Sequence, residues 1–316
     1  MIVSASRRTD LPALYGDWLL RRWREGFALT RNPYNPHALR RVSPRKEELD
    51  GLVLWTKNPR PLLEEQGVLL DELDEAGIPY YFQFTLTSYG RRIEPGLPPK
   101  KELAESLFRL SRRVGPERVV WRYDPVIVSD VYSVDWHRET FQRCAAAFSG
   151  AVDECVFSFL DLYPRNRSRA RGIADAAVSE EDQNALAQSF AAAAASCGMR
   201  LRTCCEGTRL SRYGISPGAC IDAARLERLS GRPVAAARDS GQRPGCRCAK
   251  SVDIGGYDTC THGCVYCYAT AGEGAVKKTR SSHHPDSPVL IGWPEPGDRI
   301  AGEGDDRQLS LFPDKP

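Results

Sequence analysis

The sequence lacks any long apolar run. No stretch approaches the roughly 20 consecutive apolar residues that a membrane-spanning helix needs, and Met1 to Arg8 show no apolar core of a secretory signal peptide. A strong charge imbalance is also absent, because the formal net charge is only +3. That balance does not by itself favour nucleic acid, a membrane or any other charged partner. We therefore expect a cytoplasmic protein with no membrane partner.

Cysteine, by contrast, is plentiful. The chain has 11 cysteines among 316 residues, and its 41% hydrophobic content is enough for one large domain with a substantial core. The cytosol keeps thiols reduced, so clustered cysteines there favour metal binding over disulfides.

Three cysteines stand close together near the C-terminus. Cys260, Cys264 and Cys267 have the spacing C-x3-C-x2-C. Three thiolates on one short loop can hold three irons of a [4Fe–4S] cube, which leaves the fourth iron open to chelate S-adenosylmethionine. The alternative is a closed zinc site, for which one more distant cysteine would have to join. His262, inside the loop, is predicted to lie near the metal or in solvent rather than to bind it.

The loop, with Tyr266 directly before its last cysteine, resembles the signature loop of the radical S-adenosylmethionine (radical SAM) enzymes. The resemblance implies a [4Fe–4S] cluster on the three cysteines and Tyr266 against the adenine of S-adenosylmethionine. It also implies cleavage of a C–S bond, a 5′-deoxyadenosyl radical that abstracts hydrogen from a substrate, and an electron donor such as flavodoxin or ferredoxin.

Residues 1 to about 225 alternate between short apolar segments and amphipathic helices. Leu103, Leu107, Leu110 and Val114 share one helical face, and Ser179 heads an alanine-rich helix that Gly198 ends. Six βα units of this kind predict a parallel sheet, and we expect a (β/α)6 partial TIM-like barrel, with an open doubly wound sheet as the alternative. The six predicted strands are Ile2–Ser6, Gly51–Thr56, Tyr80–Thr85, Val119–Tyr123, Cys155–Leu160 and Arg200–Cys204.

The cysteine loop comes after this alternation, whereas in the radical SAM enzymes it normally follows the first strand. We therefore predict a permuted radical SAM-like arrangement, in which a C-terminal extension carries the loop over the mouth of the barrel. The predicted domains are a barrel over 1–225, a cysteine-rich extension over 226–270 and a flexible tail over 271–316, where Gly, Pro, Ser and charge dominate.

Four segments together resemble the domain-of-unknown-function family 1848. The resemblance covers residues 1 to about 270 and implies a cysteine cluster similar to that of radical SAM enzymes, but no substrate. The segments are Ser4–Asp10, Trp55–Pro59, Trp121–Pro125 and Ser251–Cys260.

Polar residues at the carboxyl ends of the strands are the candidates for chemistry, because ligands of parallel α/β folds bind there. We predict Lys57, Arg122 and Asp124 as catalytic residues and Arg7, Arg8 and Asp10 as cofactor-binding residues. Lys57 could meet a carboxylate of S-adenosylmethionine or substrate, or it could be a solvated loop lysine. Arg122 and Asp124 could face a polar cavity, or they could form an internal salt bridge beside Pro125.

Four further cysteines, Cys204, Cys220, Cys246 and Cys248, could bind a second [4Fe–4S] cluster or a zinc ion. The alternative for Cys204 and Cys220 is burial as small apolar residues.

Two features suggest nucleic acid, for example a damaged base, as substrate. Arg165 to Arg171 form an alternating arginine run that suits phosphate, although such runs are usually solvated loops. Gln308 to Phe312 resemble the peptide by which bacterial DNA-processing enzymes dock on the sliding clamp. The competing functions are a non-catalytic zinc or iron–sulfur nucleic-acid-binding protein and a redox sensor.

Overall fold

A computed structural model describes residues 1–45, 47–173, 177–234 and 236–301. The strands are β1 (Ile2–Ala5), β2 (Ala28–Arg31), β3 (Ala38–Val42), β4 (Gly51–Thr56), β5 (Tyr80–Thr85), β6 (Val119–Val126), β7 (Glu154–Phe159), β8 (Arg200–Thr203), β9 (Ser216–Pro217), β10 (Ser251–Asp253) and β11 (Arg299–Ala301). The helices are α1 (Leu11–Leu14), α2 (Gly16–Glu25), α3 (Arg60–Glu65), α4 (Val68–Glu75), α5 (Lys100–Val114), α6 (Val134–Phe148), α7 (Pro164–Ala170), α8 (Glu180–Ser196), α9 (Ala223–Ser230) and α10 (Glu273–Arg280).

The main sheet has eight parallel strands in the order β10-β1-β4-β5-β6-β7-β8-β9. The six strands predicted from the sequence are confirmed, and β9 and β10 extend the sheet at its two edges. From β1 to β9 the order never reverses, so no switch point of the doubly wound type lies among these strands. No pairing within the described ranges joins β9 to β10, so the sheet is open there.

The two faces of the sheet carry different residues because side chains alternate along each strand. One face is apolar and forms a single core with the crossover helices, as in the packing of Phe82, Trp121 and Phe157 with Phe141 of α6 and Phe190 of α8. The other face is here called the inner face. Part of it packs against residues 220–249, where Tyr81 and Val120 cluster with Ile221 and Leu226.

The two helices predicted from spacing are confirmed. Leu103, Leu107, Leu110 and Val114 are all buried on α5. Ser179 caps α8 by accepting a hydrogen bond from the Asp182 amide, and Gly198, just beyond the helix, has a φ of +66°.

Part of the predicted cysteine-rich extension joins the main sheet. Residues 251–253 form β10, which pairs in parallel with β1 and so places the cysteine loop directly after an edge strand of the main sheet. This strand could not be predicted from the sequence, because Ser251–Asp253 is only three residues long and half-buried throughout.

The prediction of a flexible tail from residue 271 is wrong for residues 271–301. This segment forms α10 and β11, and β11 pairs with β3 in a three-stranded sheet. Hydrogen bonds help to fix this segment, for example Trp18 Nε1 donating to the Ser287 carbonyl at 2.8 Å, and Val289 and Leu290 are buried. The clamp-like peptide, Gln308 to Phe312, lies outside the described residues.

No helix within the described ranges is both long and apolar enough to cross a membrane.

Candidate metal and cofactor site

The cysteine loop emerges at the carboxyl edge of the sheet. In the register of β1 with β10, Ser4 lies opposite Asp253. The Asp253 carboxylate accepts hydrogen bonds from the Ser4 hydroxyl at 3.0 Å and from the Arg7 amide at 2.8 Å. These bonds tie the end of β1 to the strand that leads into the loop.

The three loop thiols share one region. Cys264 is buried, while Cys260 and Cys267 are half-buried. Burial raises the pKa of Cys260 to about 12 and that of Cys264 well above its ordinary value, and the nearby Cys267 sulfur raises both further. The Cys260 sulfur also accepts hydrogen bonds from the backbone amides of Asp10 and His262. Without metal the Cys260 and Cys264 thiols therefore stay protonated, although backbone donors already point at the Cys260 sulfur.

Arg169 of α7 fixes the backbone of the loop. Its guanidinium donates to the Cys264 carbonyl at 3.2 Å and to the carbonyls of Cys267 and Thr270. Asn166, one turn earlier on α7, donates to the Tyr266 carbonyl at 2.8 Å. Side chains of α7 thus hold the backbone of the loop that carries the thiols.

A second loop, after β5, packs against the other side of the cysteine loop. The Gly96 amide donates to the His262 carbonyl at 2.9 Å, and the Val265 amide donates to the Ile93 carbonyl at 3.0 Å. A Cβ on Gly96 would come within 2.6 Å of the Thr261 carbonyl oxygen, so this position needs glycine.

Asp10 connects the end of β1 to the cysteine loop. Its Oδ2 accepts from the Lys57 amide at 2.7 Å and contacts His262 Nε2 at 2.8 Å, and its Oδ1 caps α1 through the Ala13 amide at 3.0 Å. Both carboxylate oxygens are therefore used within the protein. Asp10 also holds His262, which is compatible with the prediction that His262 lies near the metal without binding it.

Glu94 is a buried carboxylate next to the cysteine loop that pairs with two lysines. This fully buried carboxylate pairs with Lys57 at 2.9 Å and with Lys100, and it accepts from the Tyr266 hydroxyl and from Thr87. Burial raises the pKa of Glu94, but the two lysines outweigh it and lower the pKa to about 2. Two cations and one anion leave one positive charge beside Cys264.

Tyr266 lies within this arrangement and not on an open surface. Its side chain is 9% exposed, its ring lies 5.4 Å from Lys57 Nζ, and it meets Tyr89 edge-on at 6.4 Å between centroids. Lys57 is therefore not a solvated loop lysine, since it is 16% exposed and paired with Glu94.

Arg122 and Asp124 form an ion pair on the inner face of the sheet. Arg122 also donates to Gln83 Oε1 at 3.3 Å and lies 5.3 Å from the Trp55 ring, while Asp124 accepts from the Ser158 hydroxyl. Burial opposes ionisation of Asp124, but Arg122 lowers its pKa. The internal salt bridge is present, yet the Asp124 side chain is still 21% exposed.

Arg7 and Arg8 follow β1 in the same region. The Arg7 guanidinium lies 5.9 Å from the Trp55 ring and donates to the Ser251 hydroxyl at 3.4 Å. The Arg8 guanidinium lies 5.1 Å from the ring of Tyr257, a residue of the segment between β10 and the cysteines. Both cations thus lie near the loop, and their cofactor-binding role stays a prediction.

The second cysteine set also comes together. Cys204 and Cys220 have their sulfurs 3.3 Å apart, and Cys220 and Cys246 each hydrogen-bond to Cys248 through their thiols. Cys205, which is not one of the four cysteines predicted for this set, contacts both Cys204 and Cys246.

The donor chemistry suits metal at both cysteine sets. As they stand, no three or more Cys, His, Asp or Glu side chains in the described part of the chain could jointly hold an ion, so binding requires the thiols to turn toward the metal. The three-thiol loop fits a [4Fe–4S] cube in donor type and number, and a cube holds its thiolates farther apart than a single ion does.

Sequence reasoning missed three residues that build the site, namely Glu94, Arg169 and Cys205. Glu94 stands in an ordinary loop sequence, Arg-Arg-Ile-Glu-Pro, that gives no sign of burial. Arg169 belongs to the alternating run, which forms α7 instead of a loop, and Arg165 in the same run pairs with Asp258 at 2.6 Å. The Cys204-Cys205 pair was the one available signal for Cys205.

Fold and site together define an α/β protein with an eight-stranded parallel sheet whose edge strand leads into a three-cysteine loop. The family described as "Domain of unknown function (DUF1848)" matches residues 2–269 of the chain, which therefore belongs to that family. A comparison with curated proteins found no match.

Proposed function

We propose that this protein is an iron–sulfur enzyme of the radical SAM type and that Cys260, Cys264 and Cys267 bind its cluster. The observation that supports this most is the placement of the loop. It contains three cysteines and no fourth, and it directly follows a strand at the carboxyl edge of a parallel sheet, the edge at which such folds bind their ligands.

When bound, the cluster would supply an electron that cleaves S-adenosylmethionine and starts hydrogen abstraction from the substrate. The chain's own residues prepare the loop for this group. Arg169 fixes the loop backbone, and the net positive charge of Lys57, Lys100 and Glu94 beside Cys264 stabilises thiolates and other negative charge there.

The partial barrel belongs to this proposal. The crossover helices α5, α6 and α8 pack on the same face of a sheet whose strand order does not reverse from β1 to β9, which is the winding of a (β/α) barrel. The inner face would then enclose the reacting groups and exclude water. Asp124, with Arg122 behind it, is the candidate to contact substrate there.

Nucleic acid as substrate draws less support from the arginine run than the sequence suggested. Arg165 pairs with Asp258 and Arg169 donates to the cysteine loop, whereas Arg167 and Arg171 are exposed. The proposal of a nucleic-acid substrate therefore depends mainly on the clamp-like peptide.

That peptide gives a separate prediction. Leu311 and Phe312 would fill an apolar pocket on a sliding clamp, each contributing roughly 1.5–3 kcal/mol gross, and ordering the segment would offset much of this. A synthetic peptide of residues 304–316 should bind purified bacterial clamp with micromolar affinity, and the L311A/F312A peptide should not. No binding at hundreds of micromolar by isothermal titration calorimetry would remove the main reason to favour nucleic acid.

The class of cofactor is tested by anaerobic reconstitution with iron and sulfide. We expect the wild type to incorporate more iron and acid-labile sulfide than a variant without the three loop cysteines. A purely zinc protein would incorporate neither. A C260S/C264S/C267S variant serves as the control. If the variant and the wild type incorporate the same iron and sulfide, the loop is not the cluster site.

A further inference from the structure

Five cysteines form a closed ring of contacts on the inner face of the sheet. The sulfurs of Cys204 and Cys220 lie 3.3 Å apart. Thiol contacts continue from Cys220 to Cys248, from Cys248 to Cys246, from Cys246 to Cys205 and from Cys205 back to Cys204. These residues come from three separate parts of the chain, so the ring exists only in the folded protein.

The backbone at Cys205 is shaped for this ring. Adjacent side chains of an extended strand point to opposite sides, so Cys204 and Cys205 could not both reach one site from a regular continuation of β8. Cys205 instead has a φ of +64°, in the left-handed region that residues other than glycine rarely adopt. Gly245, next to Cys246, has a φ of +84°, which favours glycine, and lies beside the Cys205 carbonyl.

Hydrogen-bond donors point at three of the five sulfurs. The Ile221 amide donates to Cys248 Sγ and the Cys248 amide to Cys246 Sγ, each at 3.5 Å, and Arg122 Nη1 donates to Cys220 Sγ at 2.9 Å. Such donors suit sulfurs that carry negative charge.

A second guanidinium adds positive charge at the ring. Arg7 lies close enough to act electrostatically on Cys248 and Cys220, and its Nε is buried with no hydrogen-bond partner among the described residues. Four thiolates around one divalent ion leave two negative charges, which Arg7 and Arg122 are placed to balance.

The segment that carries Cys246 and Cys248 has little regular secondary structure. The described residues of 231–250 form no helix or strand. Their regular backbone pairing is limited to an isolated β-bridge between Arg238 and Ala249. Yet Cys246 and Cys248 are buried against the inner face with Cys220. Short segments of low apolar content commonly depend on a metal or another cross-link for a fixed structure.

We propose that four of the five thiols bind a second, closed metal centre that fixes residues 204–248 to the inner face of the sheet. Its occupant is a thiophilic centre, either a zinc-type ion or a [4Fe–4S] cluster, and each thiol that binds releases its proton to solvent. The Cys204 and Cys220 sulfurs, 3.3 Å apart, are closer than the roughly 3.8 Å edge of a tetrahedron built on metal–sulfur bonds of about 2.3 Å, so these thiols would separate slightly as they turn toward the metal. This inference does not rest on the proposed function, because the three loop cysteines take no part in it.

The test uses the full chain with C260S/C264S/C267S, which removes the loop thiols and leaves the ring intact. The anaerobically purified variant should contain one zinc per chain, or iron together with acid-labile sulfide, and metal and sulfide analysis distinguishes the two. Adding Co2+ to the metal-free variant should give intense thiolate-to-cobalt absorption. The further change C246S/C248S should abolish both signals, whereas C144S/C197S, two cysteines outside both sets, should leave them unchanged.

A folded loop variant with neither bound metal nor cobalt–thiolate absorption would overturn the proposal, and so would a disulfide between Cys204 and Cys220 in that variant. If C246S/C248S fails to fold, the metal and cobalt measurements on the loop variant still decide the matter, because that variant retains all five ring thiols.

Discussion

Cys264→Ala should abolish formation of 5′-deoxyadenosine from S-adenosylmethionine, down to the level of a sample without protein. Cys264 is the most buried of the three loop cysteines and the one beside Lys57. Two thiolates cannot hold a cube that needs three protein ligands, so the cluster would be lost or left unable to reach its catalytic state. Liquid chromatography of the quenched, dithionite-reduced reaction measures the product.

Cys197→Ala is the matched control for this variant. Cys197 ends α8, is half-buried and belongs to neither cysteine set. It should retain product formation at the wild-type level. Equal product from Cys264→Ala and Cys197→Ala would show that the loop cysteines do not hold the reactive cluster.

Glu94→Gln should lower the free energy of unfolding of the metal-free protein by about 3 kcal/mol, within the range for removing one member of a buried ion pair. Glu94 is fully buried while Lys57 and Lys100 are 16% and 30% exposed, so the variant leaves two cations facing each other with little solvent. Chemical denaturation of both proteins measures the difference.

Glu64→Gln provides the comparison, because Glu64 is 45% exposed and pairs with Arg109 on the surface. It should change stability by no more than about 1 kcal/mol. If the two glutamine variants lose the same stability, the buried pairing of Glu94 with the two lysines contributes no more than a surface ion pair.

The effect of Glu94→Gln should also depend on pH. In the folded protein the pKa of Glu94 is lowered from 4.5 to about 2 by Lys57 and Lys100 against the effect of burial. A carboxylate with a lowered pKa stabilises the fold above its unfolded pKa and loses that contribution as the pH falls toward the folded pKa. The difference between wild type and variant should therefore narrow below pH 4.5 and be smallest near pH 2.

The alternation of apolar strands and amphipathic helices was enough to locate the six central strands, because strand residues such as Tyr80–Thr85 are buried on both faces and form continuous apolar runs. Strands β10 and β11 were harder to predict. β10 buries too little to give a pattern, and β11 exists through pairing with β3 and not through its own composition.

The cysteines of the site could be selected from spacing, but their surroundings could not. Arg169 and Glu94 contact the loop across 95 and 172 positions of sequence, respectively. No local pattern shows which arginine of a run, or which glutamate of a loop, will meet such distant partners. The left-handed conformation of Cys205 is likewise set by the tertiary structure and not by the residue type.

The most direct measurement of the proposed chemistry is electron paramagnetic resonance of the reconstituted, dithionite-reduced protein before and after S-adenosylmethionine is added. We predict a [4Fe–4S] signal that shifts on addition, because the loop leaves one iron open to the ligand. The C260S/C264S/C267S variant should show no responsive signal, whatever metal the five-cysteine ring holds. A wild-type [4Fe–4S] signal that stays the same at saturating S-adenosylmethionine would mean that the cluster is closed, and it would contradict assignment to the radical SAM class.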